Sequence, residues 1–396
     1  MLRQVEGSKA VADAVAACAP EVICAYPISP QTHIVEGLSQ LVKSGELKNC
    51  EFINVESEFA AMSVAIGSSA TGARTYTATA SQGLLYMVEA VYNASGLGLP
   101  IVMTVANRAI GGPINIWNDH SDSMSQRDSG WLQLYAENNQ EAVDLHIQAF
   151  KIAEEMSMPV MVCMDGFILT HAYEQVDIPT AEEVAGFLPP FVPRQQLDPA
   201  DPVSIGAMVG PESFMEVKYL AHHRMIDSER VVKRVAEEFE AHFGRKTGGL
   251  LRTYRAEGAE TVVLALGSII GTLKDVIDEL HLDGHSIGVL GLTSFRPFPY
   301  DALAAALKDA KRVIILEKAF STGTGGIVTL DVARAIEGMD IKDFTVIAGL
   351  GGRPITIASL SNYLMNAMNE NIDRTTFLDL EVDTVEIEIN KERALR

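Results

Sequence analysis

Short apolar runs alternate with segments of helical period along the first 165 residues. The runs cover residues 22–26, 52–55, 74–80, 100–106 and 159–164; the helical segments between them cover 32–43, 57–69, 84–94 and 140–156. Strands separated by helices in this order predict a parallel α/β domain. The runs 101–105 and 160–164 are nearly continuous in apolar character, as suits strands covered on both faces. Ahead of them, residues 1–19 predict a short strand or coil and an amphipathic helix with Ser8 as its cap.

The pattern fades between 178 and 211, where prolines crowd at 179, 189, 190, 193, 199, 202 and 211, which predicts an extended segment laid over a surface. A charged helix over 228–243 follows, then a break at Gly248 and Gly249. A second α/β set has strands at 261–266, 287–292, 312–317 and 344–348 and helices near 272–280, 300–307, 326–336 and 359–368. The expected division is therefore 1–250 and a smaller domain at 258–396, with no short internal repeat.

Composition narrows the partners. The formal net charge of −21 argues against nucleic acid or an anionic membrane, whose phosphates need clustered Lys and Arg. Cys18, Cys24, Cys50 and Cys163 stand singly among apolar residues, which fits reduced core thiols and leaves no thiolate cluster for iron–sulfur or zinc. No metal ligand set is expected on this chain. The N-terminus does not read as a signal peptide and no run reaches ~18 apolar residues, so the cytoplasm is the expected compartment.

Candidate chemistry gathers at the ends of the first strands. In Tyr26-Pro27-Ile28-Ser29-Pro30 two prolines stiffen the turn and display a hydroxyl, although Pro30 could equally just start the next helix. Glu56 and Glu58 flank Ser57 where a strand becomes a helix; a carboxylate there often only satisfies the helix dipole, at ~0.3–1 kcal/mol. The Ala, Gly and Ser lining of that helix, however, admits close approach by another helix or subunit. Arg108 follows the strongly apolar run 100–106 and offers a planar fork to a carboxylate. Residues 77–83 end a strand with small polar residues and a glycine, suited either to a cofactor or to ordinary capping by Ser81. The run from Asn115 to Met124 mixes His, Asp, Asn and Ser in no known metal spacing and reads first as a hydrogen-bonded loop or interface. Gly323–Gly326 and Gly349–Gly352 resemble phosphate loops only weakly.

Taken together, Tyr26-Pro27-Ile28-Ser29-Pro30, Glu56-Ser57-Glu58-Phe59-Ala60-Ala61, Thr79-Ala80-Ser81-Gln82-Gly83, Asn107-Arg108-Ala109 and the stretch Pro113 to Asp122 resemble the alpha subunit of the pyruvate:ferredoxin oxidoreductase (pyruvate synthase) family, within the thiamine-diphosphate-dependent 2-oxoacid:ferredoxin oxidoreductases. The resemblance spans both domains. It implies a pyrimidine-binding domain followed by a transketolase C-terminal-like domain. The diphosphate-binding domain is expected elsewhere, since Met164-Asp165-Gly166 is only a fragment of the Gly-Asp-Gly motif that would hold Mg²⁺ and diphosphate.

The same resemblance implies the roles. Glu58 is the catalytic residue, hydrogen-bonding the aminopyrimidine ring nitrogen. Tyr26, Pro27, Ile28, Ser81, Gln82 and Gly83 join it in binding thiamine diphosphate, while Ser29 and Arg108 hold the substrate carboxylate. Mg²⁺ and [4Fe–4S] clusters are expected on beta, gamma and delta partner subunits, with coenzyme A as co-substrate and ferredoxin met indirectly. Ser29 stands where pyruvate enzymes commonly carry Thr; it keeps the hydroxyl, and pyruvate is the expected substrate, with another short 2-oxoacid as the alternative. A non-catalytic scaffolding subunit, or a carboligating thiamine enzyme without electron transfer, are the rival readings.

Overall fold

The structure, a computed structural model, describes residues 2–395. The first eight strands are β1 (Leu2–Glu6), β2 (Val22–Ala25), β3 (Glu51–Asn54), β4 (Thr75–Thr79), β5 (Val102–Asn107), β6 (Leu132–Tyr135), β7 (Val160–Asp165) and β8 (Tyr173–Asp177). The remainder are β9 (Leu251–Tyr254), β10 (Thr261–Ala265), β11 (Ile287–Leu292), β12 (Ser294–Arg296), β13 (Arg312–Glu317), β14 (Lys342–Ile347) and β15 (Thr375–Phe377). They form three sheets: an antiparallel β1–β8 ribbon, a seven-stranded sheet β12-β6-β7-β5-β4-β2-β3, and a six-stranded sheet β15-β14-β13-β10-β11-β9. Apart from β12 and β9, which run antiparallel to their neighbours, the two larger sheets are parallel.

The apolar runs read from the sequence become the central strands because both faces are covered. Helices Gly7–Ala17 and Asn139–Met156 pack on one face of the first sheet. On the other, helices Glu58–Ala70 and Val88–Leu97 share one apolar cluster with the second domain, in which Trp131, Tyr135 and Met161 meet Leu290, Phe295 and Phe298. In the first sheet chain order reverses between β2 and β4. These two are paired only at Val22↔Thr75 and Ile23↔Tyr76, so they splay toward their carboxyl ends. Such a reversal is where open α/β sheets make their crevice.

Several expectations need correction. Residue Ser8 is not the cap: Glu6 occupies that position, and Ser8 lies inside the helix with its N–H and hydroxyl donating to Thr170 O at 2.9 and 2.7 Å. The stretch 178–211 is not extended throughout, because Thr180 and Glu183 form a reciprocal capping box that starts helix Ala181–Phe187. The charged helix begins at Phe214, a full fourteen residues before 228, and runs to Phe243. Residues 84–94 split into helices Ser81–Tyr86 and Val88–Leu97. The expectation of separate, uncrosslinked thiols holds: Cys18, Cys24 and Cys163 are buried and free, Cys50 is half-buried, and burial pushes the Cys24 thiol up to about 12.

The domains are locked by polar groups as well as by β12. Asp165, at the end of β7, is buried and accepts from Lys318 Nζ at 2.8 Å and from the Ser268 N–H and hydroxyl, while His120 Nε2 sits 2.7 Å from its other oxygen. Burial raises a carboxyl pKa, but Lys318 and His120 outweigh it and hold Asp165 well below the ordinary range. The two glycine loops also resolve. Gly351 N–H donates to Asp119 at 3.0 Å, and a Cβ on Gly352 would meet Trp117 Cβ at 2.5 Å, so residues 349–352 dock the domains. The helix start after Gly326 already holds an anion, Glu317, which accepts from the N–H groups of Ile327, Val328 and Thr329 at 2.7 to 3.0 Å. Neither loop is left open for phosphate. Removing the cation while keeping the buried carboxylate, as in Lys318→Met, should cost about 3–5 kcal/mol; urea unfolding of the variant measures it, and a loss under about 1 kcal/mol would show that the lock is unimportant.

Candidate functional site

Five strand ends, Ala25, Asn54, Thr79, Asn107 and Asp165, lie along one edge, and the loops after four of them carry the candidate residues. The turn after β2 is held by Gln31, which is fully buried: its amide donates to Ala78 O at 2.7 Å and accepts from Ile28 N–H at 3.2 Å. Gln31 thereby bridges the splayed β2–β4 gap. Beyond it Tyr26, Pro27 and Ser29 are exposed and Ile28 is half-buried.

The two glutamates separate cleanly. Glu56 is exposed, whereas Glu58 opens helix Glu58–Ala70 behind the Ser57 cap and is only 8% exposed. Its carboxylate makes no hydrogen bond or ion pair among the described residues. A buried carboxylate without a partner is costly unless something else supplies one. Opposite it is Gly83, on which an ideal Cβ would lie 2.7 Å from both Cγ and Oε1 of Glu58 and 2.6 Å from the Thr79 hydroxyl. That hydroxyl is itself buried with no partner. A partnerless carboxylate and an orphaned hydroxyl thus converge on Gly83, where only a residue without a side chain fits.

Arg108 and Ser29 come together: the guanidinium Nη1 donates to Ser29 O at 2.8 Å and Nε to Asn115 O at 3.3 Å. Nη2 makes no hydrogen bond among the described residues, so one edge of the fork is free for an anion. Burial pushes Arg108 below its ordinary pKa and the Asp122 carboxylate opposes that. Asp122 is the centre of the loop read as hydrogen-bonded. Fully buried, it accepts from Ser81 N–H at 2.9 Å, Arg108 N–H at 3.0 Å, Asn107 Nδ2 at 2.8 Å and Ser123 N–H at 2.7 Å. Burial pushes its pKa up to about 6, partly offset by those four donors. Ser81 takes a positive φ of 49° there, with its hydroxyl donating to Ala109 O at 2.5 Å and bonded to Gln82.

Reading the sequence picked out Tyr26, Ser29, Glu58, Ser81 and Arg108 but missed Gln31 and Thr79 and gave Asp122 no special weight. Gln31 had one signal, its place directly after Pro30 at the head of a helix. The other two had none, since an isolated Thr or Asp becomes a hub only through strands distant in sequence.

This edge, with its switch point and paired domains, defines a thiamine-enzyme α/β subunit. The chain matches the family described as pyruvate flavodoxin/ferredoxin oxidoreductase, thiamine diphosphate binding, over residues 13–237, and pyruvate:ferredoxin oxidoreductase core domain II over residues 259–360. It is 49% identical to pyruvate synthase subunit PorA of Methanosarcina barkeri across 91% of each chain. The PorA of Methanocaldococcus jannaschii is 46% identical over 96% of this chain and 98% of that one, and ketoisovalerate oxidoreductase subunit VorA of Pyrococcus horikoshii 40% over 89% and 90%. Among solved structures, 2-oxoglutarate:ferredoxin oxidoreductase from Magnetococcus marinus superposes with a TM-score of 0.67 at 18% identity, over 92% of this chain and 65% of that one. This chain thus spans just under two thirds of that longer polypeptide. A split-gene transketolase gives 0.54 at 13% identity, over 93% and 100%. The chain belongs to the pyruvate flavodoxin/ferredoxin oxidoreductase family, an enzyme family, and has the expected α/β architecture with parallel sheets and a thiamine-diphosphate-binding domain.

Two outcomes test the geometry. Gly83→Ala should displace the Glu58 carboxylate by its Cβ clash and leave the fold intact, measured as loss of about 10²-fold or more in turnover with an unchanged circular dichroism spectrum. Separately, the raised pKa of Asp122 has a definite sign. Its contribution to stability is complete below the unfolded value of about 4 and is lost as pH rises through about 6. Asp165, with its depressed pKa, acts oppositely and only in more acidic solution. The stability of the native chain relative to Asp122→Asn, by urea unfolding, should therefore decline from about pH 4 to about pH 6; a flat difference would contradict the raised value.

Proposed function

We propose that this chain is the subunit of a 2-oxoacid:ferredoxin oxidoreductase that holds the aminopyrimidine half of thiamine diphosphate and the carboxylate of a short 2-oxoacid, pyruvate foremost. The overall reaction is reversible oxidative decarboxylation of pyruvate with coenzyme A to acetyl-CoA, CO₂ and reduced ferredoxin. The observation that carries this reading is the buried Glu58 carboxylate with no internal partner, packed against Gly83 beside the sheet's switch point. When bound, the cofactor supplies a nucleophilic thiazolium carbon for the keto group and a sink for the electron pair released with CO₂.

This chain's own residues do the rest of what is assigned to it. Glu58, only 8% exposed, would hold the proton shared with a pyrimidine ring nitrogen. Tyr26, Pro27 and Ile28 wall one side of the ring; Ser81, Gln82 and Gly83 wall the other. Arg108, through its free Nη2, and the Ser29 hydroxyl orient the substrate carboxylate. Residues 1–250 make the pyrimidine-binding unit and 258–396 the transketolase-like unit. Diphosphate, Mg²⁺ and [4Fe–4S] clusters belong to beta, gamma and delta partners in the cytoplasm. Phe59, Tyr86 and Tyr92, at 40, 63 and 44% exposure, lie on the helices beside Glu58 and support a partner surface there. Ferredoxin docks elsewhere, because a net charge of −21 repels an acidic protein.

The likeness to a ketoisovalerate oxidoreductase subunit at 40% identity favours a branched 2-oxoacid as the second reading. Measuring kcat/KM for pyruvate, 2-oxobutyrate, 2-oxoisovalerate and 2-oxoglutarate on the assembled enzyme separates them; preference for either of the last two would refute pyruvate. For the mechanism, Glu58→Gln should assemble normally and lose about 10²-fold or more in turnover. An assembled Glu58→Gln enzyme at native speed would make this chain a scaffold.

A further inference from the structure

Behind the turn that presents Ser29, we propose that Glu6, His33 and His171 bind one divalent transition cation of the zinc type. Each offers one ligand atom, and the three atoms lie within 4.8 Å of one another. His33 Nδ1 is 2.7 Å from Glu6 Oε1, and the His33 and His171 rings stack with centroids 4.7 Å apart. Donors around zinc, each at ~2.0–2.1 Å from the metal, sit a little over 3 Å from one another, so small side-chain rotations gather this set around an ion. Two imidazoles and a carboxylate form a donor set for zinc, cobalt or nickel rather than for calcium or magnesium.

The ligands come from three backbone segments that are already fixed to one another. Glu6 ends β1, paired opposite Tyr173 of β8; Gly7 N–H donates to Ala172 O at 3.0 Å and Ser8 N–H to Thr170 O at 2.9 Å. His33 stands in the first turn of helix Thr32–Ser44, which packs so closely on Gly7–Ala17 that a Cβ on Gly37 would lie 3.1 Å from Ala12 Cβ. His171 is oriented from behind, with Nδ1 2.7 Å from the Thr170 hydroxyl, which leaves Nε2 for a metal. Its other face stacks on Phe167, at 4.8 Å between centroids. Glu36, one turn beyond His33, lines the adjoining cavity, and the nearby Lys9 ammonium is engaged by Asp13 at 2.6 Å.

Bound there, the cation ties the segment after β7 to the helix that begins just past the Tyr26–Pro30 turn. Pro30 already touches that segment closely: a Cβ on Gly166 would lie 2.6 Å from its Cγ. The site therefore staples the back of the turn that presents Ser29, a structural role separate from the thiamine chemistry.

The test uses the assembled complex, freed of loosely held metal by dialysis against a chelator. Zinc chloride is titrated calorimetrically, and cobalt(II) serves as the optical probe of its coordination. The native complex should bind one more equivalent of zinc per copy of this chain than His33→Ala, give a cobalt absorption typical of nitrogen and oxygen ligands, and gain thermal stability with zinc. His33 is exposed, so its replacement should not disturb folding, and Glu6→Gln provides a second, conservative variant expected to weaken binding at least about tenfold. Equal zinc stoichiometry in the native and His33→Ala complexes, or a cobalt spectrum unchanged in both variants, would overturn the site. None of these readings depends on turnover, so they stand or fall apart from the oxidoreductase assignment.

Discussion

The cofactor edge is organised around one buried carboxylate. Asp122 accepts hydrogen bonds from Ser81 N–H, Arg108 N–H, Asn107 and Ser123 N–H, and so joins the loop after β4 to the loop after β5. Desolvating a carboxylate is expensive, and four donors converging on it are what make burial tolerable. The constraint works in both directions. Ser81 is held at a positive φ that a non-glycine residue rarely adopts, and Arg108 has its backbone fixed before its side chain reaches toward Ser29. The loop after β4 and the Arg108 backbone thus share one anchor.

Glu58 presents the opposite case. It is buried to nearly the same degree yet lacks any internal donor, and Gly83 and Thr79 line the space beside it. Polar groups inside folded proteins are overwhelmingly paired, so a site that leaves a carboxylate and a hydroxyl open together is a site completed from outside. The exposed aromatic residues Phe59, Tyr86 and Tyr92 lie on the same side. Asp122 and Glu58 together therefore divide the edge into a part whose polar groups are satisfied internally, which fixes loop geometry, and a part whose polar groups are not.

How much of this the sequence revealed depended on whether a signal was local. Central strands such as Val102–Asn107 and Val160–Asp165 were legible because both faces are buried and the apolar run is unbroken. β6 was not, since it is four residues long and carries Gln133 inward, and β12 is a three-residue strand whose partner belongs to the other domain. Prolines drew attention to 178–211 and hid the capping box at Thr180, while the first half of Phe214–Phe243 is so exposed that no apolar period marks it. The site followed the same rule. Glu58 and the Tyr26–Pro30 turn stand out in a linear reading, whereas Gln31, Thr79 and Asp122 gain their roles only from the β2–β4 splay and the β4–β5 pairing.

The second domain contributes none of the assigned cofactor or substrate residues, yet it bears on the site through a single residue. Asn115 gives its carbonyl to Arg108 Nε at 3.3 Å and its side-chain amide to Gly351 O at 3.1 Å. The loop carrying it is pinned again by Asp119 to Gly351 and by His120, whose N–H donates to Lys318 O at 2.8 Å. Lys318 in turn neutralises Asp165 at the end of β7. Most of these contacts are only part-buried but they are several, so motion of the second sheet would strain more than one hydrogen bond of this loop. The orientation of the Arg108 guanidinium is therefore coupled to domain docking. That coupling gives a physical reason for two α/β units to be fused in one chain when only the first lines the cofactor slot.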